Sequence, residues 1–179
     1  MDAKILLIDQ SGYPYKWVGF ERAAYYLFKD AVSWVPTESS YLVQGGVNAI
    51  TQQRSQLRIP AILAIKNAKA GSTYVGDKRK SSRAVFRRDS NLCAYCGNSF
   101  HDSQLTLDHV IPSSRGGDNS WKNLISACFP CNNRKGSRTP DEAGMPLRFK
   151  PFVPTKAQYL NFTQPVKLDC QAEWISKFI

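Results

Sequence analysis

Long apolar runs are missing from this 179-residue chain. The longest strictly aliphatic stretch, Ala61-Ile62-Leu63-Ala64-Ile65, is far short of the roughly 20 residues that span a bilayer. Met1-Asp2-Ala3-Lys4 is not followed by the apolar core of a secretory signal, so the expectation is a soluble, cytoplasmic chain with no membrane partner. No internal repeat is found along the chain. Acidic residues are few, 14 against 24 Lys and Arg, for a formal net charge of +10. Histidine occurs only at His101 and His109, so an imidazole that exchanges protons near neutral pH must be one of these two. The five cysteines are an odd number, which excludes a framework in which every one is paired in an intramolecular disulfide.

The positive surplus is concentrated. Residues 66–100 hold eight basic and two acidic side chains, whereas residues 1–65 hold six and five. Clustered Lys and Arg suit a polyanion, whose condensed counterions are released on contact. A solvated charged face is the simpler alternative.

Ile5-Leu6-Leu7-Ile8 reads as a strand closed by a turn at Ser11-Gly12-Tyr13-Pro14. Phe20, Ala24, Leu27 and Ala31 share helical spacing, which predicts an amphipathic helix from Phe20 to Lys29. Strands are expected at Ala31–Val35, Tyr41–Gln44 and Gln56–Ile59, giving a small α+β subdomain over 1–68. Residues 69–82 read as a basic linker, leading into a short helix over Ser81–Asp89 capped by Ser81 or Ser82. In that helix Ala84, Val85 and Phe86 would dock while the arginines face outward. The five prolines between Pro140 and Pro165 predict an extended strap over 141–179. It ends in a helix capped by Asp169, with Trp174, Ile175, Phe178 and Ile179 on its apolar side.

Four cysteines form two pairs, Cys93-x-x-Cys96 and Cys128-x-x-Cys131, with 31 residues between them. Two such knuckles can converge on one tetrahedral ion, and four thiolates make a closed, structural zinc site with no open position for water. Disulfides and a redox Cys-x-x-Cys are the competing readings. The left-over Cys170 is expected to be a small buried apolar residue.

Between the knuckles, Gln104–His109 alternates apolar and polar residues as a strand does. Ser113–Asn119 is a loop by composition, Trp121–Ile125 a second strand, and Phe129–Lys135 a helix stopped by Gly136. Asp108 offers a hard oxygen ligand for magnesium or manganese, and His109 can take a proton from water near neutral pH. The pair suits metal-assisted phosphodiester hydrolysis, although an Asp-His dipeptide alone is weak evidence.

The wider pattern is specific. Cys93-x-x-Cys96, Leu107-Asp108-His109-Val110-Ile111-Pro112, Arg115-Gly116-Gly117, Asn123-Leu124 and Cys128-x-x-Cys131-Asn132-x-x-Lys135 resemble the HNH endonuclease family with a four-cysteine zinc site, over residues 83–140. A weaker resemblance, to stand-alone bacterial and phage HNH proteins with an N-terminal extension, covers the whole chain.

The resemblance implies a ββα-metal finger and a metal-dependent DNA endonuclease that nicks or cuts both strands. It makes His109 the general base, Asp108 and Asn132 the protein ligands of a catalytic magnesium or manganese ion, and Asn123 the residue that holds the loop. Asn132 stands where the family name has its second histidine, and Asn133 is the adjacent alternative. The nucleic-acid contacts expected are Lys78, Arg79, Lys80, Arg83, Arg87 and Arg88, with Arg115, Arg134 and Lys135. Lys135 and Arg134 also suit the helix C-terminus by charge alone. The alternative function is a catalytically inactive zinc-ribbon nucleic-acid-binding module. Besides DNA, the N-terminal subdomain is open to a second copy of the chain or a larger protein partner.

Overall fold

The aliphatic run at 61–65 lies at the heart of a sheet. The computed structural model describes residues 3–69, 75, 81–164 and 167–179, and in it the chain is α+β, divided into two units: 1–73 with 156–179, and 74–155.

In the first unit β1 (Ile5–Ile8), β2 (Pro14–Val18), β3 (Val32–Trp34) and β6 (Ile62–Ile65) form a sheet of order β2-β1-β6-β3. The two central strands, β1 and β6, pair in parallel. Their side chains alternate between two cores. Ile5, Leu7, Leu63 and Ile65 face α1 (Phe20–Phe28), whose Ala23 is buried with them. Leu6, Ile8, Ile62 and Ala64 face α4 (Lys156–Thr163) and α5 (Asp169–Ser176), which supply Ala157, Leu160 and Ile175. A strand covered on both faces has no polar side to show, so its sequence is a continuous apolar run. Each such buried Ile or Leu contributes roughly 1.5–3 kcal/mol.

β4 (Ser40–Val47) and β5 (Arg54–Pro60) are longer than the sequence suggests and form a separate antiparallel ribbon. Tyr41, Val43, Leu57 and Ile59 on its inner face join the α1 core.

The C-terminal stretch expected as a strap ending in one helix divides between the two units. Residues up to 155 stay with the second unit, while 156–179 return to the first as two helices. Gln171 Nε2 donates to the Lys4 and Ala61 carbonyls at 2.9 and 2.7 Å, and Trp174 Nε1 to the Gly12 carbonyl at 2.9 Å. Asp169 is the first helical residue rather than the cap, and Gln171 Oε1 accepts the Leu168 N–H instead. Ile175 is buried and Trp174 and Phe178 partly so, while Ile179 is exposed. Cys170 is half-buried against the same core.

The second unit contains α2 (Ser82–Arg88), the hairpin β7 (Leu105–His109) and β8 (Leu124–Cys128), and α3 (Phe129–Lys135). Ser81 Oγ accepts the Ala84 N–H as the α2 cap, and Ala84, Val85 and Phe86 are buried. Lys78, Arg79 and Lys80 lie outside the described residues. Among the described residues no helix is long and apolar enough to cross a membrane.

Candidate active site and metal centre

The chain turns sharply at Gly97, with φ of +79°, so the Gly97 N–H reaches the Cys93 carbonyl at 2.8 Å and folds the first knuckle. Cys128 ends β8 and caps α3, whose first turn carries Cys131. The four sulfur atoms of Cys93, Cys96, Cys128 and Cys131 lie within 4.8 Å of one another, and none is in a disulfide. Tetrahedral zinc with bonds of about 2.3 Å sets its sulfurs about 3.8 Å apart, so the cluster fits that ion. Burial resists ionisation of Cys93, but N–H donation from Cys96, Cys128 and Tyr95 outweighs it and brings the thiol down to about 7. Burial and the neighbouring sulfurs push Cys131 well up. Four thiolates held this close would need a cation among them; without one, burial and the neighbouring sulfurs keep Cys131 protonated.

The hairpin register sets Asp108 opposite Ile125 and His109 opposite Leu124. Thr106 and Asp108, two residues apart, share one face of β7. Side chains of α3 meet that face: Asn132 Nδ2 donates to Thr106 Oγ1 at 2.8 Å, and Lys135 Nζ to Asp108 Oδ1 at 3.1 Å. Thr106 Oγ1 gives its own proton to the Ala127 carbonyl at 3.1 Å, so it can only accept from Asn132. That fixes the amide with Nδ2 toward the strand and Oδ1 turned away from it.

Asp108 is enclosed. Its Oδ2 accepts the Tyr95 hydroxyl at 2.5 Å. The side chains of Lys135 and Asp108 are 1% and 7% exposed, and Lys135 Nζ also donates to the His109 carbonyl at 2.8 Å. Burial, and then the Asp108 carboxylate, raise the Tyr95 phenol far above its ordinary value, so it stays a neutral donor. A carboxylate has about four lone-pair positions, and Tyr95 and Lys135 take two. Asp108 therefore keeps hard oxygen capacity of the kind a hard divalent ion takes.

On the opposite side of the strand His109 is half-exposed, with Nε2 2.8 Å from Asn119 Oδ1. With that amide oxygen as acceptor, Nε2 carries the proton and Nδ1 the free lone pair. The loop between the strands is gathered by Asn123, which accepts the Ile111 N–H at 2.8 Å and donates to the Ile111 and Asp118 carbonyls at 3.1 and 2.8 Å. A Cβ on Gly117 would come within 1.8 Å of the Ile111 carbonyl oxygen. The second glycine of Arg115-Gly116-Gly117 is therefore a steric requirement of this loop.

The basic residues separate into distinct environments. Arg88 is a correction to the expectation of outward-facing arginines. Its side chain is fully buried, and all five N–H groups are used, on both Asp89 oxygens and on the carbonyls of Trp121, Phe152 and Leu124. It cannot reach a phosphate without dismantling the second unit. Lys135 is likewise committed, to Asp108 and the His109 carbonyl, and is not on the surface. Arg83 and Arg87 lie 3.5 and 3.4 Å from Asp102, Arg83 largely exposed. Arg115 pairs with Glu142 at 2.7 Å, and Arg134 is exposed. Asn133, next to Asn132, is exposed too. His101 caps the short helical turn at 102–104 through Nδ1.

Tyr95, Thr106 and Asn119 are the site residues that sequence reasoning missed. Tyr95 sits between the knuckle cysteines, and that position was its one available signal.

Residues 93–148 match the family model described as HNH endonuclease. A curated relative, the CRISPR-associated endonuclease Cas9 of Corynebacterium diphtheriae, is 36% identical over 52 residues, which are 28% of this chain and 5% of that protein. The crystal structure of the Type II-C Cas9 enzyme from Actinomyces naeslundii aligns at 20% identity with a TM-score of 0.32, covering 62% of this chain and 11% of that one. A superposition that loose supports nothing further.

Proposed function

We propose that this chain is a metal-dependent DNA endonuclease with His109 as its base, since residues 93–148 match the HNH endonuclease family model. The observation that supports this reading is that the matched segment places Asp108 and Asn132 on the side of β7 that α3 covers and His109 next to them at the strand end, each oriented by a different partner. Asp108 and Asn132 hold a magnesium or manganese ion, their oxygen donors favouring a hard cation over nickel or zinc. When bound, that ion supplies Lewis-acid stabilisation to the phosphate and the leaving oxygen.

His109 works at Nδ1. Asn119 holds the Nε2 proton, so the lone pair of Nδ1 accepts a proton as a water oxygen bonds to phosphorus. The bond from phosphorus to the 3′ oxygen breaks and that oxygen takes up a proton, leaving 5′-phosphate and 3′-hydroxyl ends. Asn123 keeps the loop after His109 from shifting, and Lys135 anchors the His109 carbonyl. The four-cysteine cluster carries zinc and holds the hairpin to the helix. Arg83, Arg87, Arg115 and Arg134 meet the DNA backbone, giving affinity without sequence information.

A second reading, the inactive zinc-ribbon binder, draws on the Lys135 charge that already faces Asp108. A manganese titration separates the two. Asn132→Ala weakens manganese binding by at least about tenfold, the order seen when a metal site loses a supporting group, while Asn133→Ala leaves it unchanged. No manganese binding in the parent chain favours the binder; an effect at Asn133 alone overturns the ligand assignment.

A further inference from the structure

The β4–β5 ribbon has an outer face to which no function has been given. Residues alternate along each strand, and while Tyr41, Val43, Leu57 and Ile59 turn inward, Leu42, Gln44, Gln56 and Arg58 turn outward and are exposed. Cross-strand pairing sets Leu42 beside Arg58, Gln44 beside Gln56, and Val47 beside Arg54. Two amides thus lie at the middle of the face, with an arginine toward each end.

The charge of this region is of one sign. Between Glu38 and Asp77 the sequence has no acidic residue, while it holds Arg54, Arg58 and Lys69, with Lys66 already paired to Asp30 at 2.8 Å. Arg54 Nη1 donates to Gln44 Oε1 at 2.8 Å, and Arg58 Nη1 reaches Ser40 Oγ at 3.5 Å. Both partners are neutral, so the guanidinium groups are steadied and their charge is retained. Among the described residues neither arginine is in an ion pair. The hairpin end is ordered from within, because Asn48 Oδ1 accepts the N–H groups of Ile50 and Thr51 at 2.9 and 3.0 Å. Ile50 nevertheless stands 92% exposed.

We propose that the outer face of this ribbon is a second DNA-binding surface, seated in the major groove, with Arg54 and Arg58 on flanking phosphates and Gln44 and Gln56 toward base edges. A two-stranded ribbon fits the major groove, and glutamine is the side chain that pairs in bidentate fashion with adenine there. Leu42 offers the apolar surface that a thymine methyl accepts. Phosphate binding gives affinity and the amides give discrimination. The proposal rests on the reading of the chain as acting on DNA. It adds a sequence-reading element that the basic residues of the nuclease domain do not supply.

The test uses the full zinc-loaded chain carrying His109→Ala, so that DNA survives, and measures affinity for labelled duplexes against salt concentration and then against a randomised duplex library. Arg54→Ala with Arg58→Ala weakens binding to every duplex and makes the plot of log affinity against log salt shallower by about 1.8, at about 0.9 for each phosphate no longer neutralised. Gln56→Ala leaves that slope unchanged and flattens the sequence preference. All three side chains are exposed, so thermal unfolding of the variants should match the parent. Unchanged affinity and slope in the double arginine variant overturn the role of the ribbon while leaving the nuclease reading in place. An unchanged sequence preference in Gln56→Ala overturns the major-groove seating. If the parent binds no duplex at all, both the ribbon proposal and the DNA reading fail.

Discussion

Arg88 carries a full charge into a place with no solvent, and the second unit is arranged around it. Asp89 neutralises it through both oxygens and itself accepts the N–H and hydroxyl of Ser126 at 2.9 Å each. Three main-chain carbonyls take the remaining guanidinium protons. Removing one member of such a pair leaves a buried charge without compensation, which costs about 3–5 kcal/mol. Arg88→Met should therefore lower unfolding stability in denaturant by that order, whereas the exposed Arg83→Met should change it little. A drop of under about 1 kcal/mol for Arg88→Met, the scale of a surface pair, would mean the network is dispensable. Charge pattern alone cannot distinguish these two arginines, because both are read in the sequence as part of one basic run. The role proposed for Asn132 came through the family resemblance, whereas the four cysteines were legible because two Cys-x-x-Cys knuckles tie metal chemistry to fixed spacing. Tyr95, Thr106 and Asn119 were not, because each acts on a partner 13, 26 or 10 residues away, and nothing in their own neighbourhood marks it.

The elements that carry the site are too small to stand alone. An isolated helix of seven residues is well below the length that is stable in water, and a lone two-stranded hairpin is marginal at best. α3 and the β7–β8 hairpin are of these sizes. The four-cysteine cluster joins them at the residue where β8 ends and α3 begins, and structural zinc provides on the order of 10–16 kcal/mol. Chelation of zinc, or Cys128→Ser, should abolish hydrogen-exchange protection across residues 90–136; native-like protection in the metal-free chain would contradict a structural role for the ion. The hairpin could be read in the sequence because apolar Leu105 and Leu107 alternate with polar Thr106 and Asp108 along β7. β6 was not read: like β1 it is buried on both faces and lacks alternation, but β1 is closed by the turn at Ser11–Pro14, and period alone does not mark such a run as a strand. β2 was missed because Pro14 reads as turn chemistry, yet Pro14 also begins the strand, a position proline tolerates.

At the scale of the whole molecule, the division of the chain follows packing more than sequence order. Residues 156–179 belong with the first sheet because Leu6, Ile8, Ile62 and Ala64 need cover on that face, and Ala157, Leu160 and Ile175 provide it. Proline content suggested a strap because it reports local stiffness and says nothing about which core a later helix joins. The HNH match covers residues 93–148 only, and the activity proposed for the chain stands or falls with the roles proposed for Asp108, His109 and Asn132. Supercoiled plasmid incubated with zinc-loaded protein and magnesium or manganese, followed by sequencing of the ends, reads this directly. The predicted result is relaxation or linearisation with 5′-phosphate and 3′-hydroxyl ends, abolished by His109→Ala. Cleavage undiminished in His109→Ala would contradict it.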